Sequence, residues 1–193
     1  MLTRARGGGD SAHPDGAVRP GATRCNGAET AAKPVSTCLY VVRIIVDDLS
    51  GPAIAAFLEE HVQQMREISP PESKHALDLE GLRRPGITFW SLYDGEELVG
   101  CGALKRIDAE HAELKSMRTA VARKRGGVAS RLLEHILAEA RRSGFTRVSL
   151  ETGSAEFFLP ARRLYAKFGF ADCPPFGDYR PDPLSTFMTR TLS

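Results

Sequence analysis

The run Lys124-Arg125-Gly126-Gly127-Val128-Ala129 is the stretch of this chain whose residue types best suit a ligand. Two adjacent glycines let the backbone approach an anion closely, because no Cβ stands in the way. An apolar stripe starts directly afterwards, so a helix begins here and aims its unpaired N–H groups and the positive end of its dipole at the turn. Lys124 and Arg125 add two cations. Such a turn suits a pyrophosphate. A glycine pair also serves as a plain strand-to-helix connection, and the turn by itself leaves both readings open. Two other phosphate motifs are excluded. The chain has no GxxxxGK followed by Ser or Thr, and no GxGxxG followed by an acid about 20 residues on.

Other polar groups fall where a small molecule could meet them. His61 shares a helical face with Phe57 and Met65, a place that suits a core histidine as well as a pocket residue. Ser69, Ser73 and His75 surround Pro70-Pro71, either as turn chemistry or as a pocket wall. Asp178-Tyr179-Arg180 sits in a Pro-rich loop. Folded over a site, Arg180 would bind a carboxylate and Asp178 an amine; otherwise the loop is solvated.

Bulk properties narrow the classes. The four cysteines, Cys25, Cys38, Cys101 and Cys173, form no CxxC and no metal-ligand spacing, so no metal is expected. Reduced thiols in a cytoplasmic protein are the expectation. The net charge is +2, and the five cations and three acids of residues 1–37 account for all of it. A neutral main body argues against nucleic-acid binding, which needs surplus Lys and Arg. The Arg123–Arg125 patch also lacks interleaved aromatics. No apolar stretch approaches the roughly 20 residues that span a bilayer.

The elements that must position these residues read as mixed α/β. Residues 1–37, rich in Gly, Ala and Pro without periodicity, read as a disordered tail. A single domain is expected over 38–193. Val41–Val46 reads as a strand. Ser50 is placed to cap the next helix, with Pro52 in its first turn. A short helix is expected near Glu72–Leu82. Strands Ile87–Tyr93 and Glu97–Arg106 flank a hairpin turn at Asp94-Gly95. Glu113–Thr119 is a further strand. Val128–Arg142 is an amphipathic helix with Gly144 at its end. A strand at Arg147–Thr152, a helix at Phe158–Phe168 and a strand at Phe187–Thr191 follow.

Two of these segments carry a family resemblance. Lys124-x-x-Gly127-x-Ala129 is similar to the pyrophosphate signature Gln/Arg-x-x-Gly-x-Gly/Ala of the GNAT N-acetyltransferases, with Lys at its first position. Downstream, Ala161-x-x-Leu164-Tyr165-x-x-x-Gly169-Phe170 matches that family's A-x-x-L-Y-x-x-x-G-F. Phe158 stands where the family often has a coenzyme-side Asn, three residues before that Ala. The runs at 69–73, 151–154 and 176–183 further resemble a bacterial subgroup of small-molecule N-acetyltransferases.

The resemblance implies a mostly antiparallel sheet of 6–7 strands with about four helices, splayed between its fourth and fifth strands. It implies acetyl-CoA as co-substrate, no metal, and transfer to a primary amine of a small molecule by direct attack. A non-catalytic acyl-CoA-binding module and a protein or peptide N-acetyltransferase are the alternatives. The cofactor would lie against Met117, Arg118, Thr119, Lys124, Arg125, Gly126, Gly127, Val128, Ala129 and Phe158. Glu113 is the candidate base, at the strand start four residues before Met117, and a period of two puts both on one face. Tyr165 is the candidate acid, since a phenol is protonated at neutral pH. His61, Ser73, His75, Asp178, Tyr179 and Arg180 are the candidate acceptor-side residues. The family also points to a homodimer.

Overall fold

The computed structural model describes residues 42–68, without the side chains of 65–68, and residues 78–193. The expected tail, Ser73 and His75 lie outside the described residues. Strands β1 (Val42–Val46), β2 (Ile87–Asp94), β3 (Glu97–Arg106), β4 (His111–Thr119), β5 (Arg147–Gly153), β6 (Ala171–Asp172) and β7 (Ser185–Thr191) form one sheet in the order β1-β2-β3-β4-β5-β7-β6. The hairpin between β2 and β3 closes with Gly95-Glu96, and Gly95 takes φ +60° at the first loop position, where glycine is favoured.

All strand pairs are antiparallel except β4 with β5. That parallel pair extends only from His111–Leu114 against Arg147–Leu150. Beyond it the two strands part, which is the splay the resemblance implies.

Helix α3 (Val128–Arg142) buries Leu132, Leu133, Ile136, Leu137 and Ala140 on one face of the sheet, against Ala112, Leu114, Val148 and Leu150. It lies so close that a Cβ on Gly102 would come within 2.8 Å of Ile136 Cδ1 and 2.7 Å of Met117 Sδ. Helix α3 ends with Gly144 at φ +83° and Phe145 N–H donating to Ala140 O, the arrangement its C-terminal glycine suggested. Helix α4 (Leu159–Lys167) adds Tyr165 to the same core. On the other face, Ile54 and Leu58 of α1 (Pro52–Ile68) and Leu82 of α2 (Leu79–Leu82) pack with Leu49, Phe89, Cys101 and Ala103.

Strand β4 carries a bulge that changes the reading of its side chains. Ala103 pairs with Lys115 and Cys101 with Arg118, so Ser116 and Met117 together oppose Gly102. Ser116 takes φ +54° to accommodate the extra residue. One inserted residue reverses the alternation. Glu113 and Lys115 point to the α1 face, Met117 turns into the α3 core, and Arg118 returns to the α1 face. Glu113 and Met117 therefore lie on opposite faces, and the expectation that they share one is corrected.

Smaller differences have local causes. Helix α1 starts at Pro52, where Gly51 O accepts from Ala55 N–H; Ser50 instead donates its N–H to Asp48 Oδ1, so it is not the cap. Asp78, in extended conformation with its carboxylate accepting from Gly81 N–H, caps the start of α2, and residues 72–77 of the expected helix lie outside the described residues. Strand β6 is too short to have shown a period.

Candidate active site

The glycine turn lies at the surface. A single 3-10 turn, Val121–Arg123, leads into it. Arg123 pairs with Asp94 at 2.9 Å and Glu97 at 2.5 Å, so it fastens the turn to the β2–β3 hairpin. Lys124 and Arg125, by contrast, are exposed beside the turn. Arg125 has φ +66° and Gly127 φ +82°. A Cβ on Gly127 would meet nothing within 4 Å, so conformation, not space, selects glycine there. No side chain caps the N-terminus of α3. Its first N–H groups, with two cations beside them, are the donor set that a pyrophosphate fits.

Where β4 and β5 part, the wall on the β5 side is aromatic. A Cβ on Gly153 would sit 2.2 Å from the Phe158 ring, so glycine lets that ring lie directly on the strand end. Arg162 Nη1 donates to Gly153 O at 2.6 Å and to Ala155 O at 3.0 Å, fixing the chain around it. On the β4 side, Met117 contributes backbone only to the opening, because its side chain is in the α3 core. Thr119 pairs with Gly100 of β3 and Ala120 N–H donates to Val99 O.

On the α1 face, Glu113 is 2% exposed and held by three groups. Its Oε1 accepts from Lys115 Nζ at 2.9 Å and from Tyr179 OH at 2.5 Å, and Lys105 Nζ stands 3.9 Å from Oε2. Lys115 Nζ also donates to Tyr179 OH at 2.9 Å. Burial, then the Glu113 charge, pushes the Tyr179 phenol far above its ordinary value, so it stays a donor. The loop 176–183 folds over these residues, braced by ring contacts of Tyr179 with Phe176 and Phe187. It borders an open cleft of about 690 Å³ lined by Lys105, Glu113 and Lys115 from the sheet and by Asp178 and Arg180 from the loop. The structure thus brings Glu113 together with Asp178, Tyr179 and Arg180. Lys105 and Lys115 were missed, although Lys115 is the next residue on the Glu113 face by simple alternation.

Tyr165 is 7% exposed on α4, beside Phe170. Burial, then the Glu151 charge, raises its phenol well above the usual range. His61 stands apart from the Glu113 cluster, near Arg118 and Glu60. Burial, then the Arg118 charge, lowers its pKa from 6.5 to about 4. It is therefore neutral at pH 7. Below pH 6.5 the unfolded chain takes up a proton that the fold refuses, so His61's contribution to stability is complete above 6.5 and is lost as pH falls towards 4. Each tenfold difference in proton affinity between the folded and unfolded chain is worth about 1.4 kcal/mol. Urea melts at pH 7 and 4.5 are expected to show a larger drop for the wild type than for His61→Gln.

The comparisons agree with this geometry. Residues 54–170 match the Acetyltransferase (GNAT) family. The chain is 54% identical over 151 residues to YsnE of Bacillus subtilis (strain 168), an uncharacterized N-acetyltransferase, covering 78% of this chain and 100% of that one. It is 53% identical to YedL, an uncharacterized N-acetyltransferase of Escherichia coli (strain K12), covering 77% and 94%. An IAA acetyltransferase of Azospirillum brasilense is 42% identical, covering 72% and 91%. Among solved structures, an acetyltransferase of Streptococcus agalactiae superposes with a TM-score of 0.62 at 25% identity, over 78% of this chain and 98% of that one. A GNAT family acetyltransferase of Elizabethkingia anophelis with acetyl-CoA bound gives 0.53 at 17%, over 78% and 98%. A parted β4–β5 pair followed by an uncapped glycine turn, and relatives this similar over most of the domain, mean that the chain belongs to the GNAT family and is an N-acetyltransferase.

Proposed function

We propose that the enzyme transfers the acetyl group of acetyl-CoA to a primary amine of a small molecule. The observation that carries this reading is the succession of the β4–β5 opening and the uncapped turn at α3, which offers a thioester arm a channel and its pyrophosphate a seat. Lys124, Arg125 and the N–H groups of Gly127–Ala129 hold the phosphates. Phe158 and the backbone of Met117–Thr119 border the arm. The open cleft beside the folded loop, about 690 Å³, falls within the range of about 300 to 1,000 Å³ that small-molecule sites occupy.

Direct attack needs no enzyme nucleophile. Cys101, next to the bulge, is fully buried with its thiol pushed up to about 12, so it is a poor candidate for an acyl carrier. In the proposed step the neutral amine attacks the thioester carbon, the C–N bond forms and the C–S bond breaks. Glu113 takes the proton that the attacking nitrogen sheds as the C–N bond forms, and the Tyr165 phenol gives a proton to the departing thiolate, so one proton leaves nitrogen and one reaches sulfur.

Free-thiol release from acetyl-CoA with a panel of small primary amines and N-terminal peptides tests the reading. Transfer to small amines is expected; stabilisation by CoA without transfer to any acceptor overturns it. Within that assay, Tyr165→Phe is expected to lower kcat about a hundredfold with KM for acetyl-CoA little changed. An unchanged kcat would remove Tyr165 from the mechanism.

A further inference from the structure

Arg118 is a buried cation with too few partners. Its side chain is 5% exposed. Nη2 pairs with Glu60 Oε2 at 3.1 Å, and the guanidinium lies 4.9 Å from the centre of the Phe57 ring. Nε and Nη1 are buried with no hydrogen-bond partner among the described residues, and so is His61 Nδ1. A guanidinium carries five N–H donors, so three of Arg118's have no partner among the described residues. Leaving such donors unmet in a protein interior costs on the order of 1–3 kcal/mol each, and more for a charged group. Glu60, 65% exposed on its side chain, is a weak counter-ion for a charge this deep.

The position of Arg118 indicates what it awaits. It lies on the same face of β4 as Glu113, with the Ser116–Met117 bulge between them. Their partners on β3, Cys101 and Lys105, are four residues apart, roughly 13 Å along the strand. The Arg118 guanidinium lies under α1 against Glu60 and Phe57, the Glu113 carboxylate lies beside Lys115 and Tyr179, and the interval between them is where β4 leaves β5. A guanidinium is a planar fork matched to carboxylate oxygens, and a neutral imidazole beside it supplies a further polar atom.

We propose that Arg118, with His61 beside it, binds a carboxylate of the acceptor, so that the substrate class is a small amine that carries a carboxylate. This rests on the reading of the enzyme as a small-amine acetyltransferase. Glu113 then faces the amine end and Arg118 the acid end of a molecule that spans the interval between them.

Two measurements test it. The first compares kcat/KM for a set of amino acids and other amino carboxylates with their carboxamides. The wild type is expected to prefer the carboxylates by about 30-fold or more, and Arg118→Gln to reduce that preference to about threefold or less. Equal use of acid and amide by the wild type, or a preference kept in Arg118→Gln, overturns the inference. The second needs neither turnover nor a variant. In NMR of the CoA-bound wild type, propionate is expected to move the His61 ring signals and raise their titration midpoint, while propanamide does not. No response to propionate overturns the inference. If the wild type acetylates no amine at all, the proposed function fails, and the propionate titration still decides the carboxylate site.

Discussion

Glu113→Gln is expected to lower kcat/KM for the acceptor by about a hundredfold or more, the usual loss when a positioned base is removed. Glutamine keeps the shape and can still accept from Lys115 and Tyr179 through its oxygen. It cannot take the proton that the attacking nitrogen sheds. The substitution also leaves Lys115, 9% exposed on its side chain, without its carboxylate partner at 2.9 Å. Breaking a buried pair by removing one member destabilises by about 3–5 kcal/mol, so the variant should also melt earlier. The double variant Glu113→Gln with Lys115→Met separates the two effects. Removing both charges is often close to neutral for stability. The expectation is that the double variant regains most of the melting temperature and none of the activity. Recovery of activity along with stability would make Glu113 a structural residue.

Gly127→Asp is expected to raise KM and Kd for acetyl-CoA by about 10- to 100-fold, at a stability cost of about 1–2 kcal/mol for a side chain in the left-handed region. Gly127 stands at φ +82° with open space around its Cα, so a side chain meets no clash. Aspartate tolerates the left-handed region better than most residues, and a carboxylate at a helix N-terminus is favourable. The same carboxylate occupies the seat of the pyrophosphate and opposes its charge. Charge-assisted hydrogen bonds are worth about 1.5–3 kcal/mol each, which sets the expected range. Calorimetric titration with CoA, beside a thermal melt of the apo protein, reads both quantities. An unchanged affinity in a folded variant would place the phosphates elsewhere.

Much of this arrangement is legible in the residue types and their spacing. The apolar stripe Leu132, Leu133, Ile136, Leu137 and Ala140 fixed α3 to its observed ends, because 3.6-residue periodicity is strong over four turns. The Asp94-Gly95 pair marked the hairpin through its turn chemistry. The bulge in β4 was not visible. Ser116 at φ +54° leaves no mark in composition, and an alternation rule run straight through it assigned Met117 to the wrong face. The same reversal hid Arg118. Read as a strand residue bordering the cofactor, it proved to point the other way, into the space beneath α1. Tyr179 reached Glu113 by a loop whose path depends on packing of Phe176 and Phe187, contacts distant in sequence from β4.

The most direct test of the central claim is a crystal structure of the enzyme with acetyl-CoA. The pyrophosphate is expected within hydrogen-bond distance of the N–H groups of Gly127–Ala129 and beside Lys124 and Arg125, with the acetyl arm in the opening beyond Leu114 and Leu150. Acetyl-CoA bound with its phosphates away from residues 124–129 would show that this turn is not the coenzyme seat.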